Sequence, residues 1–207
     1  MSSTRPTVFV VDDDVSFLTA TTRLLRAGGY AFETFSSAAE FLCKPPVDRH
    51  GCLIVDLHMP GPSGLELQAM LAKFESPLPI IFLTGHGDIA TSVHAMKQGA
   101  EDFLTKPVKR ETLFAAIERA LARDSRERAD RNRVREARAR FEVLTPRERE
   151  VLLHLLRGQL NKEVAADLGT TERTIKAHRA NLMAKLQIES IAELVRIAHE
   201  SGLFKDV

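Results

Sequence analysis

Cysteine is scarce in this chain. Cys43 and Cys52 stand alone, neither in a Cys-x-x-Cys pair nor beside histidines at zinc-ligand spacing. They read as two reduced thiols in a reducing compartment, which excludes a disulfide scaffold or a cysteine-built zinc module. Long apolar runs are missing as well, none approaching the roughly 20 residues that a membrane-spanning helix needs. The apolar run at residues 8–11 ends in three aspartates with no small-residue cleavage site, so neither membrane insertion nor secretion is expected and a cytoplasmic location is. No Gly-Lys-Ser/Thr of Walker type occurs, which argues against an ATPase. Charge of one sign is also in short supply, since the net is +1, and this argues against a uniformly basic nucleic-acid binder.

That small sum hides opposite segments. Residues 1–122 carry 11 basic and 14 acidic side chains, whereas residues 123–141 carry 8 arginines against 4 acids. The asymmetry marks a boundary and divides the chain into an N-terminal domain over 1–122, an arginine-rich helical linker over 123–141 and a C-terminal domain over 142–207.

In the first domain short apolar runs alternate with amphipathic stretches. Residues 7–11, 30–35, 52–56, 79–84 and 102–105 read as strands. Between them Phe17, Leu18, Thr21, Leu24 and Leu25 recur at helical spacing and stop at Gly28 and Gly29. Ser37 with Glu40 suggests a capping box, and further helices follow Gly64, Gly87 and Val108. Five strands alternating with five helices predict an α/β fold, a doubly wound five-stranded parallel sheet covered on both faces. The segment after Pro107 holds neither Gly nor Pro up to residue 141, so the fifth helix is expected to run on into the linker. There Val134, Ala137, Phe141 and Leu144 repeat at three-four spacing, either as a seam against another helix or as the stem of a solvated linker.

The last domain carries only helix signals. Thr145-Pro146-Arg147-Glu148 is a capping box with proline at the first helical position, Gly158 ends that helix, and Ser190 with Glu193 suggests a further box. Helices over 162–168 and 172–186 flank Gly169-Thr170-Thr171, a short turn of helix-turn-helix type. These signals predict a small all-α, four-helix domain.

In open parallel sheets ligands bind beyond the carboxyl ends of the strands. Asp12, Asp13 and Asp14 follow the first strand, Asp56 ends the third, Thr84 ends the fourth and Lys106 follows the fifth, so every reactive side chain falls at that one end. Carboxylates gathered there repel unless a hard cation neutralises them, and oxygen ligands with retained water suit Mg²⁺. One carboxylate facing such an ion can attack phosphorus, with lysine and metal stabilising charge on the equatorial oxygens. A hydroxyl at Thr84 could then bond to the new phosphoryl group and draw its loop inward. Asp14 fits a helix cap as well as it fits a ligand.

On the helix over 172–186, Ile175, Leu182 and Leu186 line one side while Arg173, Ala177 and Ala180 face the other, flanked by Lys176 and Asn181. Basic groups beside small ones suit entry into the major groove of duplex DNA. Lys162, Thr171, Arg173, Thr174, Lys176, Ala177, Arg179, Asn181 and Lys185 are the DNA-contact candidates. His178 lies nearer the core side, where packing explains it as well as DNA contact.

Val11-Asp12-Asp13-Asp14, Val55-Asp56-Leu57-His58-Met59-Pro60-Gly61, Leu83-Thr84-Gly85 and Thr105-Lys106-Pro107 resemble the receiver domain of two-component systems, over residues 6–122. The resemblance implies a flavodoxin-like fold and Mg²⁺ held by Asp12, Asp13, the acceptor Asp56 and the main-chain carbonyl of His58. It also implies a cis peptide at Lys106-Pro107 and Phe103 at an aromatic switch position, although a core phenylalanine explains Phe103 equally well. Leu144-Thr145-Pro146-Arg147-Glu148-Arg149-Glu150-Val151-Leu152, Asn161-Lys162-Glu163-Val164-Ala165, Arg173-Thr174-Ile175-Lys176-Ala177-His178-Arg179 and Met183-Ala184-Lys185-Leu186 resemble the LuxR-type helix-turn-helix, over 142–204. Together they resemble transcriptional response regulators of the FixJ/NarL type, from which the linker departs by being longer and more helical.

The combined resemblance implies a regulator rather than an enzyme, promoting only its own phosphorylation and slow dephosphorylation. A sensor histidine kinase would phosphorylate Asp56, and Thr84 and Phe103 would shift the surface of the fourth helix and fifth strand. The resulting homodimer would bind promoter DNA, with RNA polymerase a further partner. A haloacid-dehalogenase-type phosphatase needs a second Asp two residues after its nucleophile, where this chain has His58. A small-ligand quorum sensor needs an apolar cavity in place of the acids, and a stand-alone phosphorelay module leaves residues 142–204 unexplained.

Overall fold

The computed structural model describes residues 5–43, 49–73, 78–85 and 89–204, and the chain forms two compact units, Met1–Arg128 and Ala129–Val207. In the first unit the order is β1 (Thr7–Val11), α1 (Val15–Ala27), β2 (Ala31–Phe35), α2 (Ala38–Cys43), β3 (Gly51–Val55), α3 (Gly64–Leu71), β4 (Ile80–Thr84), α4 (Ile89–Lys97), β5 (Asp102–Thr105) and the start of α5 (Arg110–Glu142). All neighbouring strands pair in parallel, in the order β2-β1-β3-β4-β5. Strand order reverses between β1 and β3, which opens a crevice at their carboxyl ends.

Strands covered on both faces are apolar on both. β3 and β4 are buried throughout, and their alternate side chains feed two separate layers. Phe9, Val11, Leu53, Val55 and Phe82 pack with Phe41, Leu67 and Leu71 on one side of the sheet. Val8, Val10, Cys52, Ile54, Ile81 and Leu83 pack with Leu25, Leu113 and Ile117 on the other. Burial pushes the Cys52 thiol far above its usual range, so this cysteine is inert packing, while Cys43 is exposed.

The expected strands are present with shifted ends. Asp56 lies one residue beyond β3, because the last register pair is Val11 with Val55 and the Asp56 carboxylate turns back to accept the N–H of His58 at 2.7 Å. Its own N–H still donates to the carbonyl of Val11 at 2.9 Å. Asp14 proves to be the cap of α1, accepting from the N–H groups of Ser16 and Phe17. Only half of the box at α2 forms: Ser37 Oγ accepts from Glu40 N, but the Glu40 carboxylate accepts from the N–H and hydroxyl of Ser36 instead. Ser63 and Glu66 make a complete reciprocal box at α3, a pairing that the sequence reading passed over. Gly87, expected to precede the fourth helix, lies outside the described residues.

The second unit holds the end of α5 with α6 (Pro146–Leu156), α7 (Asn161–Asp167), α8 (Glu172–Leu186) and α9 (Ile191–Ser201). The capping box at Thr145 and Glu148 is complete. At α9 Ser190 Oγ accepts from Glu193 N, whereas the Glu193 carboxylate accepts from Glu189 N rather than Ser190 N. Gly169 sits at φ +61 between α7 and α8, a left-handed turn that glycine enters at little cost. Of the two readings of Ala137, Phe141 and Leu144, the seam against other helices is the one that forms, for they pack into this unit's own core with Val151, Leu152, Ile175 and Leu194. Arg138 donates to the carbonyl of Ser201 at 2.8 Å. Asp124, also within the arginine-rich stretch, is buried in the first unit and accepts from Gly51 N at 2.9 Å.

Gly64 is where α3 comes closest to the strand-end loop, since a Cβ there would stand 2.4 Å from the Asp56 carbonyl oxygen. Gly64→Ala must lever α3 away, and it should cost about 1–3 kcal/mol of stability. Urea unfolding should show a lower midpoint at an unchanged slope; an unshifted midpoint would mean that the contact is not limiting.

Candidate functional site

Three side chains from three different strand ends meet at the crevice. Lys106 Nζ, beyond β5, donates to Asp12 Oδ2 at 2.5 Å and lies 2.8 Å from Asp56 Oδ1. Asp12 and Asp56 are both buried. Asp12 Oδ1 accepts from Asp14 N at 3.0 Å, and Asp56 Oδ2 accepts from His58 N at 2.7 Å. The Lys106 N–H donates to the Thr84 carbonyl at 2.8 Å, which fixes the loop bearing the ammonium against the end of β4. Lys106-Pro107 is cis. The remaining sequence candidates lie around this cluster: Asp13 is exposed at its rim, Thr84 is wholly buried, and the His58 side chain is exposed. Phe103 is half-buried against Phe82, with ring centroids 6.0 Å apart.

Burial pushes the Asp12 carboxyl above its usual value, and the hydrogen bond from Lys106 only partly opposes this. Burial works to lower the Lys106 amine, but its bonds to Asp12 and Asp56 hold it above the ordinary value. One ammonium therefore serves two buried carboxylates with a third at the rim, and the cluster is short of positive charge. Its donors are all oxygens, the set that a hard divalent cation prefers. Among the described residues no three Asp, Glu, His or Cys side chains by themselves make a metal cage. Asp12 and Asp56 supply oxygens of the kind that such an ion takes, and further places in its shell would fall to main-chain oxygen and water, the mixed shell usual for Mg²⁺.

The second cluster of candidates lies on α8 and its approach. Ile175, Leu182 and Leu186 are buried, while Arg173, Lys176, Ala177, Ala180 and Asn181 are exposed and Thr174, His178 and Arg179 are half-buried. Thr171 caps α8 by accepting from Thr174 N at 3.2 Å, and Lys162 is exposed near the start of α7. Lys176 pairs with Glu172 one turn earlier at 3.0 Å, and Arg179 reaches Asn161 at 3.4 Å. The Lys176 pair is an exposed contact of little energetic weight, and the Arg179 bond, between two half-buried residues, is long.

Lys185 is engaged differently. Its ammonium donates to Glu148 Oε2 at 2.7 Å, and the Glu148 carboxylate, 4% exposed, also accepts from the N–H and hydroxyl of Thr145. Lys185 first, with the Thr145 N–H, brings the Glu148 carboxyl down from 4.5 to about 2. Lys185 thus ties α8 to the start of α6. Two further contacts escaped sequence reading: the Phe17 ring under Lys106, at 4.1 Å from Nζ to the centroid, and the Asp124 bond to Gly51. Nothing in spacing connects residues so far apart; Phe17 showed only as one apolar position of a helix.

Residues 8–118 match the response regulator receiver domain, and residues 142–198 match the bacterial regulatory proteins of the luxR family. The chain is 43% identical to the response regulator protein TodT of Pseudomonas putida over 197 residues, 95% of this chain and 87% of that one. It is 40% identical to the transcriptional regulatory protein FixJ of Rhizobium meliloti over 196 residues, 95% of this chain and 96% of that one. Among solved structures, the response regulator StyR is 44% identical and superposes with a TM-score of 0.84, over 95% of this chain and 100% of that chain. Full-length FixJ from B. japonicum is 38% identical with a TM-score of 0.58, over 97% and 99%.

A depressed carboxyl lends its full stability above its ordinary pKa and loses it as pH falls through the depressed one. Glu148→Gln should therefore cost about 1–3 kcal/mol at neutral pH, and the deficit should shrink as pH falls from 4.5 towards about 2. Unfolding of parent and variant followed across that range would show this, and a deficit that does not change with pH would exclude the ionic contribution.

Proposed function

Because this chain belongs to the two-component response regulators that join a receiver domain to a LuxR-type DNA-binding domain, we propose that Asp56 accepts a phosphoryl group from a sensor histidine kinase and so controls binding to promoter DNA. The observation that carries the reading is the buried Asp56 carboxylate lying 2.8 Å from Lys106 at the carboxyl edge of the sheet. In transfer an Asp56 carboxylate oxygen forms a bond to phosphorus as the bond from phosphorus to the kinase imidazole nitrogen breaks. The product is an acyl phosphate, which water later hydrolyses to free carboxylate and phosphate. Phosphoryl transfer asks mainly for in-line positioning and neutralised equatorial oxygens. The His58 N–H orients the Asp56 carboxylate, and Lys106 supplies positive charge beside it. Mg²⁺, held by Asp12, Asp13, Asp56 and the main-chain carbonyl of His58, would add the further positive charge that this cluster lacks.

Conversion of a carboxylate into an acyl phosphate draws Lys106 and the Thr84 hydroxyl towards the new oxygens, and Phe103 moves with them. These shifts act on the surface of α4 and β5. Ile89, Val93 and Met96 are exposed on α4, with Ile89 83% exposed, and a second phosphorylated copy would cover them. The dimer then presents two α8 helices to paired half-sites. Arg173, Thr174, Lys176, Ala177, Arg179 and Asn181 read or grip the groove, with Lys162 and Thr171 on flanking phosphates. Lys185 serves the fold through Glu148. The domain bounds of this reading are 1–122 and 142–207, with the segment 123–141 giving Asp124 to the first unit and Ala137 and Phe141 to the core of the second. The chain works in the cytoplasm, with RNA polymerase as a further partner and no turnover beyond its own phosphorylation. Among the described residues no helix is long and apolar enough to cross a membrane.

Asp56→Asn should abolish Mg²⁺-dependent labelling by acetyl phosphate and the accompanying monomer-to-dimer shift on size exclusion; undiminished labelling would move the acceptor elsewhere. Lys176→Ala should weaken operator binding and flatten its dependence on log salt concentration by about one phosphate contact. Arg179→Ala should weaken it too, and full affinity in both variants would reject this orientation of α8.

A further inference from the structure

We infer that Phe17 is a positioning residue for phosphoryl transfer: its ring face holds the Lys106 ammonium over Asp56. This rests on the reading of Asp56 as phosphoryl acceptor and deepens it. Two carboxylate oxygens hold the ammonium, Asp12 Oδ2 at 2.5 Å and Asp56 Oδ1 at 2.8 Å. The Phe17 ring lies against the same ammonium, 4.1 Å from centroid to Nζ, well inside the range of a cation–π contact.

The physical need for such a wall comes from lysine itself. A four-carbon stem ending in a strongly hydrated point charge has many rotamers and is drawn towards water, and the Lys106 side chain keeps 19% exposure. An aromatic face attracts the charge without a directed hydrogen bond. It therefore restrains the ammonium yet lets it slide from a carboxylate oxygen to a phosphoryl oxygen while staying in contact.

The local sequence fixes that ring in place. Asp14 caps α1 by accepting from Ser16 N at 2.8 Å and Phe17 N at 3.2 Å, so the residue holding Phe17 is the third aspartate of the run whose first member bonds to Lys106. One face of the ring meets the lysine, and Phe17 packs against the apolar layer that includes Val8, Val10 and Ile54. The aspartate run thereby serves two purposes, one member binding the lysine directly and another setting the helix turn that carries its aromatic support.

A structural phenylalanine and a cation–π phenylalanine part company on ring electronics, since fluorination cancels the ring quadrupole at nearly constant shape. The full chain carrying 4-fluoro- and then 3,4,5-trifluorophenylalanine at position 17 is compared with the parent and with Phe17→Leu. The first readout is the rate of Mg²⁺-dependent labelling by acetyl phosphate; the second is the Lys106 ε-methylene proton resonance without Mg²⁺ or phosphodonor. Labelling should slow stepwise with fluorination, reaching about 3–10-fold in the leucine variant, at a melting temperature unchanged across the fluorinated series. The ε-methylene resonance should be shifted upfield by the ring in the parent and return towards its free position in Phe17→Leu. Equal labelling rates across the fluorinated series, or no upfield shift in the parent, overturns the inference while Asp56 remains the acceptor. No labelling in the parent itself overturns the acceptor reading, and this inference falls with it.

Discussion

A single ammonium holds the carboxyl edge of the sheet together. Lys106, carried beyond β5, bonds to Asp12 after β1 and lies beside Asp56 after β3, so one side chain gathers the ends of three separately formed strands. Removing two carboxylates from water is costly, and such pairs break even only when geometry and further hydrogen bonds are good. Here each carboxylate has its further bond, from Asp14 N and from His58 N. Even so, burial leaves the Asp12 carboxyl raised. The cluster carries a standing electrostatic deficit that added positive charge would relieve.

The parallel sheet makes the arrangement possible. With β1, β3 and β4 side by side and apolar on both faces, every polar group a strand carries is displaced to its ends, and the reversal of order between β1 and β3 leaves a gap in which those groups meet. Close backbone approach completes the floor: α3 begins against the Asp56 carbonyl, a fit that holds because residue 64 has no side chain. The backbone at Asp56 is thus held by close packing against the start of α3.

The helical unit solves a different problem, presenting one helix with its outward face free for a partner. Three apolar anchors, Ile175, Leu182 and Leu186, sink α8 into the core, the Thr171 cap sets where it begins, and Lys185 fastens its far end to Glu148. Glu148 is at once the partner of the Thr145 cap and the counter-charge of Lys185, so the start of α6 and the end of α8 are fixed by one carboxylate. The basic side chains left outward, Arg173 and Lys176, carry no contact that the fold requires.

Alternation of apolar runs with helical periodicity, the aspartate run, the strand-end Asp56, Thr84 and Lys106, and the cap at Thr145 were all legible in the sequence, because each rests on contacts within a few residues or on a period that burial imposes. The two family resemblances rested on those same local patterns. Partnership across the fold was not legible: that Lys185 belongs to Glu148, that Phe141 fills the second unit's core, that Asp124 bonds to Gly51 and that Phe17 lies against Lys106 depends on how helices pack. The sequence by itself determined which elements form and which end of the sheet carries the reactive groups. Tertiary structure alone decided which charge meets which, because an ion pair between distant residues leaves no period in the chain.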